Sequence, residues 1–215
     1  KEERTSLILS PEFNASKGFT LDFDIKFRSE EHNYGYVFRI IVDNEKSFDL
    51  IANITPGKKT LNLIEGDNIY LAFDEELLKQ YTWNKWVHIR CSIYPDSLRL
   101  VFDNQMLQDR YKPINIKNVK FYFGYSDHNK FHSSDVPPMS IRNIKITDGK
   151  NKTIAAERTS AIFLFGQSAS YSGNSNQPHM GDKQTYQMGK RKNVGITDIY
   201  TNLSRSFKRQ YLFCQ

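Results

Sequence analysis

From Phe19 the chain alternates without a break. Phe19, Leu21, Phe23, Ile25 and Phe27 fall on one side, and Thr20, Asp22, Asp24, Lys26 and Arg28 on the other. A period of two predicts a strand with one dry and one wet face. The pattern recurs between Thr82 and Asn104, where Val87, Ile89, Cys91 and Ile93 alternate with His88, Arg90 and Ser92. After Tyr94-Pro95-Asp96-Ser97, Leu98, Leu100 and Phe102 alternate with Arg99, Val101 and Asp103. Pro95 presets the φ that the second position of a type I turn needs, and Asp96 and Ser97 can bond their own backbone. An antiparallel hairpin follows.

Other segments repeat the motif in shorter form. Ser6 to Ser10 is an apolar run stopped by Pro11. Tyr36 to Val42 is apolar on both sides except at Arg39, as expected of a strand covered on both faces. Phe48, Leu50, Ala52 and Ile54 alternate, and Leu61 to Ile64 and Ile69 to Phe73 are two further short strands. Asp74-Glu75-Glu76 ahead of Leu77-Leu78 predicts a capped helical turn, because acids there satisfy free amides and the dipole. Val119, Phe121 and Phe123 form a dry row with Lys120, Tyr122 and Gly124 opposite. Met139 and Ile141 keep one phase and Ile144 and Ile146 the other, which predicts a bulge near Asn143. Short, closely spaced strands with almost no helix predict an all-β chain, an antiparallel two-sheet β-sandwich ending near Thr147.

The hairpin also carries a resemblance. A tryptophan-led strand followed by Asp-x-Leu-x-Leu and a polar turn resembles the central hairpin of the laminin G-like and concanavalin A-like lectin/glucanase superfamily. The matching residues are Trp83, Trp86, Val87, Ile89, Asp96, Leu98, Leu100, Phe102, Asp103 and Asn104. Asp103-Asn104-Gln105 stands where many relatives have Asn-Gly, and the likeness runs more loosely from Ser6 to Ile146. It implies a jelly-roll sandwich with first and last strands side by side, in a recognition module that is secreted, periplasmic or on a cell surface.

Composition divides the 215 residues in two. Residues 1 to 146 hold 20 Lys+Arg and 20 Asp+Glu, whereas residues 147 to 215 hold 10 and 4, so the whole net charge of +6 lies in the tail. The sandwich region is neutral, and basicity is an argument about the tail alone. Gln167 to Gln187 is rich in Ser, Asn, Gln and Gly, which disfavours a packed core. Residues 148–215 are therefore expected to be a basic, polar extension or the start of another module, strand-like only at Ala161 to Phe165. Thr197 to Phe207 places Ile199, Leu203 and Phe207 at helical spacing. No run approaches the roughly 18 apolar residues of a membrane span. The chain opens Lys1-Glu2-Glu3-Arg4 without methionine or an apolar signal region, as in a mature or trimmed product. Cys91 shares the phase of Ile89 and Ile93, so a buried free thiol is the plain expectation, and a bridge to Cys214 the alternative.

Candidate chemistry is sparse. Glycanases on this sandwich carry Glu-x-Asp-x-Glu on one strand, because retaining cleavage needs two carboxylates roughly 5 Å apart. Asp22-Phe23-Asp24-Ile25-Lys26 is the nearest match and lacks glutamate. No catalysis is expected, and a divergent glycoside hydrolase is the weakest reading. Sugar binding needs an aromatic plate and planar polar groups. With Val87, Ile89, Phe121 and Phe123 inward, Trp86, His88, Arg90 and Tyr122 point outward, expected on one exposed face with Arg39 as neighbour. Tyr34, Tyr125 and Phe131 are loop alternatives. No cofactor is expected. The loop residues Asp127, Asn129 and Asp135 admit calcium, which accepts irregular oxygen cages, although a plain polar loop is the commoner case. The spacing of His128 and His132 in that loop is no zinc pattern. Lys190-Arg191-Lys192 with Arg205, Lys208 and Arg209, interleaved with Tyr200, Phe207 and Tyr211, has the ingredients of phosphate and base contacts, but a solvated basic tail is commoner and no nucleic acid is expected. Sequons at Asn14, Asn53, Asn151 and Asn202 matter only in a eukaryotic secretory setting. Carbohydrate is the leading ligand class, and a protein-interaction or structural domain of a larger cell-surface protein, with no sugar binding, is the alternative.

Overall fold

Phe19, Leu21, Phe23, Ile25 and Phe27 are completely buried, and the interior they enter is built from two facing sheets. A computed structural model of the chain describes residues 4–28, 33–55, 57–79, 81, 84–112, 114–157, 162–164 and 207–214. In order these form β1 (Arg4–Pro11), β2 (Phe19–Phe27), β3 (Asn33–Val42), β4 (Lys46–Thr55), β5 (Lys58–Glu65), β6 (Asn68–Phe73), α1 (Glu75–Leu78), β7 (Val87–Ile93), β8 (Ser97–Phe102), β9 (Gln105–Arg110), β10 (Val119–Gly124), β11 (Met139–Asp148), β12 (Thr153–Glu157), β13 (Ile162–Leu164) and β14 (Phe207–Cys214). The first sheet runs β14-β1-β10-β3-β4-β5-β6. The second runs β12-β11-β2-β7-β8-β9, with β13 also paired to β11.

The two dry faces meet in a single core. Phe23, Ile89 and Leu100 come from the second sheet and Phe38, Leu50 and Phe121 from the first, and all are fully buried in one cluster. The Phe23 ring meets Phe123 edge-on at 5.0 Å and Phe38 at 6.0 Å, so rings from opposite sheets interlock. Each such side chain contributes about 1.5–3 kcal/mol of burial, and the core is therefore what fixes strand phase.

Local signals operate as expected. Tyr94 N donates to the Ser97 carbonyl at 2.9 Å and closes the β7–β8 hairpin. Asp74 caps α1 by accepting from Leu77 N at 3.0 Å. Asn143 has φ of 54°, and the β11–β2 register shifts between Arg142 and Lys145, which is the anticipated bulge. Cys91 is a free, buried cysteine, so the alternative of a bridge to Cys214 does not hold. Burial pushes its thiol up to about 12.

The sheets extend past the boundary expected near Thr147. β12 pairs back on β11, β13 pairs with its other end, and β14 pairs along all of β1. β9 was also not anticipated. Both β9 and β12 are edge strands that bury one face thinly, so alternation leaves little trace in them. Trp83, the 197–206 part of the proposed amphipathic segment, and basic residues 190–192 and 205 lie outside the described residues.

Candidate functional site

Alternation fixes whether a residue points in or out. It does not fix the sheet to which its strand belongs. β7 lies in the second sheet and β10 in the first, so the expectation that Trp86, His88, Arg90 and Tyr122 share one face is corrected. Trp86, His88 and Arg90 stand on one outer side of the sandwich, and Tyr122 and Arg39 on the other.

On the second sheet, Asp22 faces Arg90 and Lys145 across the register, and Asp24 faces His88 and Arg142. Arg90 Nε donates to Asp22 Oδ1 at 2.6 Å, and the His88 ring nitrogens lie 3.2 Å from Asp22 Oδ1 and 3.3 Å from Asp24 Oδ1. Asp24 Oδ2 also accepts from Arg142 Nε at 3.2 Å and from Asn143 Nδ2 at 2.7 Å. The two aspartates are thus paired and largely covered instead of solvated. The Arg142 guanidinium stands 4.1 Å from the Trp86 ring centroid and Lys26 Nζ 5.1 Å from it. A sugar plate needs a free ring face, and cations already contact this ring.

The first sheet is arranged differently. Ile8, Tyr122, Arg39, Asp49 and Ile64 form one cross-strand row from β1 through β10, β3 and β4 to β5. Tyr122 and Arg39 are therefore neighbours, as expected, but both are buried, at 6% and 4% exposure. Arg39 grips Asp49 in a fork, Nε to Oδ1 at 2.7 Å and Nη2 to Oδ2 at 2.6 Å, while Nη1 donates to the Phe131 carbonyl. Burial opposes the charged guanidinium, yet the hydrogen bond and charge of Asp49 outweigh it and raise the Arg39 pKa. Burial in turn pushes the Asp49 carboxyl up, against the pull of Arg39.

The Phe131 carbonyl belongs to a hairpin that folds back over this face. Ser126 and Ser133 exchange main-chain hydrogen bonds of 3.1 and 3.0 Å, and Ser126 Oγ donates to the same Phe131 carbonyl at 2.9 Å. The Phe131 side chain covers Ile8, Ile41 and Tyr122, and His128 stacks on it at 5.4 Å. Gly35 sets the hairpin's far end. Its φ is 133°, and a Cβ there would come 2.5 Å from the Asp135 carbonyl, whose oxygen accepts from Tyr36 N at 2.9 Å.

Between this hairpin and the β5–β6 turn lies a groove of about 640 Å³. Arg39, Asp49 and Tyr36 form part of its lining, with Phe131 and His132 from the hairpin and Lys46 and Glu65 from β4 and β5. Lys46 Nζ is 3.3 Å from Glu65 Oε1, and Tyr111 donates to Glu65 Oε2 at 2.6 Å. The Tyr111 hydroxyl is raised by burial and by that hydrogen bond. Glu65 and Lys46 remain 20% and 39% exposed, so both reach solvent in the groove. Lys46 and Glu65 thus offer the groove a donor and an acceptor, beside a Tyr36 ring that already carries the Arg39 guanidinium at 4.5 Å.

Tyr125 is half-buried, its ring edge-on to His132 at 5.7 Å. Asp127 is exposed, Asn129 Oδ1 accepts from Lys130 N at 2.9 Å, and Asp135 lies beyond the Ser126–Ser133 closure beside Gly35. Among the described residues no group of three or more His, Cys, Asp or Glu is placed to hold a metal. Sequence reasoning missed Lys46, Glu65 and Tyr36. Lys46 shares the phase of buried Phe48 and Leu50, and Glu65 that of Leu61 and Leu63, so alternation points both inward; they reach the groove because they stand at the ends of β4 and β5.

No protein-family model matches the chain, and no curated protein does. Solved structures resemble it. The enzymatically active domain of tailspike protein 2 from bacteriophage CBA120 gives a TM-score of 0.50 at 13% identity, covering 71% of this chain and 28% of that one. Laminin α1 domains LG4-5 from mouse give 0.48 at 11%, covering 78% and 46%. The carbohydrate binding module CBM66 from Bacillus subtilis gives 0.41 at 9%, covering 60% and 74%. The chain therefore spans less than a third of the tailspike chain and less than half of the laminin chain. At such identities the likeness is one of fold alone, and the fold is an antiparallel two-sheet β-sandwich. No helix among the described residues is long and apolar enough to cross a membrane.

Proposed function

We propose that this chain is a non-catalytic recognition module that binds carbohydrate in the groove on the outer face of β3, β4 and β5. The observation that carries the reading is the groove itself, in which Phe131, His132, Lys46 and Glu65 surround a floor held rigid by the Arg39–Asp49 fork. Arg39 acts as a positioning residue, because its Nε, Nη1 and Nη2 are all engaged. Lys46 and Glu65 offer the hydroxyl-binding groups. The pairing of Asp22 and Asp24 with His88, Arg90 and Arg142 supports the non-catalytic part of the reading. The exported or cell-surface setting implied by the hairpin resemblance goes with it.

A glycan array with folded variants tests the reading. Saturable binding lost in Lys46→Ala and Glu65→Gln, and kept in Trp86→Ala, is the expected result. An array blank for the parent chain overturns it and favours the alternative, a domain that binds a protein partner and no sugar.

A further inference from the structure

Charge in the groove is arranged in closed pairs. Its lining holds three cations, Arg39, Lys46 and Lys130, and four carboxylates, Glu45, Asp49, Glu65 and Asp67. Arg39 is forked onto Asp49 at 2.6 Å, Lys46 lies 3.3 Å from Glu65, and Lys130 lies 3.8 Å from Glu45. Among the described residues Asp67 has no cation within 4 Å. Each positive group therefore has a carboxylate of the same groove within 4 Å, and the surplus is negative.

A sulfate, uronate or sialate group entering here would have to share a cation with the carboxylate already on it and sit near the unpaired Asp67. A neutral sugar brings no like charge into the groove. Its hydroxyls can donate to Glu65 and accept from Lys46 without breaking the pair, because a carboxylate and an ammonium each have hydrogen-bonding capacity to spare. The outer face of the second sheet differs, with Lys26, Arg90, Arg142 and Lys145 around only Asp22 and Asp24.

We infer that the groove selects neutral saccharides and rejects anionic ones, an inference that rests on the carbohydrate reading above. The test is calorimetric titration of the full chain with maltotetraose, mannotetraose, cellotetraose and N-acetyllactosamine, and with heparin, oligogalacturonate and sialyllactose, at low and high sodium chloride. Expected is binding of at least one neutral probe, changing less than about twofold with salt because no net counterion is released or screened. Glu65→Gln should weaken it about tenfold, the loss of one charge-assisted hydrogen bond. Anionic probes bound more tightly than every neutral one, steeply weakened by salt and lost in Lys46→Ala with Lys130→Ala, would overturn the selectivity while leaving the carbohydrate reading intact. Failure of all probes in both classes would overturn the carbohydrate reading and the inference with it.

Discussion

The two outer faces of this sandwich use the same chemical vocabulary at different depths. Each has an arginine on an aspartate of the neighbouring strand and a cation on an aromatic ring. On the first sheet the side chains of Arg39 and Asp49 are each 5% exposed, under a hairpin that supplies a further acceptor. On the second, the Arg90 side chain is 52% exposed over Asp22 at 10%. A charge pair in water contributes little, whereas a desolvated pair becomes costly to break once buried. Depth, and not residue type, makes one face a framework for a groove and the other a polar lattice.

The largest expected contrast comes from deleting each arginine. Arg39→Ala leaves Asp49 buried without its fork and should cost about 3–5 kcal/mol in urea denaturation. Arg90→Ala should cost less than about 1 kcal/mol. Equal losses would erase the distinction. Next is Gly35→Ala, which must move the Asp135 carbonyl or leave a φ that L side chains rarely adopt, at about 1–3 kcal/mol. Labelling of the Cys91 thiol offers a second readout of the same variants. Buried and pushed up to about 12, it should react only on opening, and faster in Arg39→Ala than in Arg90→Ala.

A smaller effect depends on pH. Partial burial within the hairpin, with Lys120 and Arg39 nearby, lowers the pKa of His128 below 6.5. Between that lowered value and 6.5 the unfolded chain binds more protons than the folded one, so His128 makes the fold less stable as pH falls through that window. An NMR titration should place the His128 midpoint below 6.5, with the Ser126 and Ser133 amides less protected at acid pH. A midpoint at or above 6.5 would mean that the hairpin does not cover the sheet.

Much of the fold was legible because it is written in local periods. The dry row from Phe19 to Phe27, the Tyr94–Ser97 turn, the Asp74 cap and the bulge at Asn143 each depend on a few adjacent residues. The site was legible only in pieces. Arg39 and Tyr122 were identified as neighbours, and Phe131 as a loop candidate, but Trp86, His88 and Arg90 were assigned to the same face when β7 belongs to the other sheet. Sheet membership is decided by pairings between residues far apart in the chain, such as Tyr122 with Arg39 and Asp49 with Ile64. Alternation has no term for that. It also cannot register that Tyr122, though outward, is roofed by Phe131, since the cover comes from a loop with no period of its own.

The most direct measurement is amide chemical-shift mapping on titration with the tightest neutral tetrasaccharide. Binding on the first sheet should move Lys46, Glu65, Asn68 and His132 and leave the second sheet still. Shifts concentrated at His88, Arg90 and Arg142 would put the ligand on the opposite face and contradict the assignment of the groove.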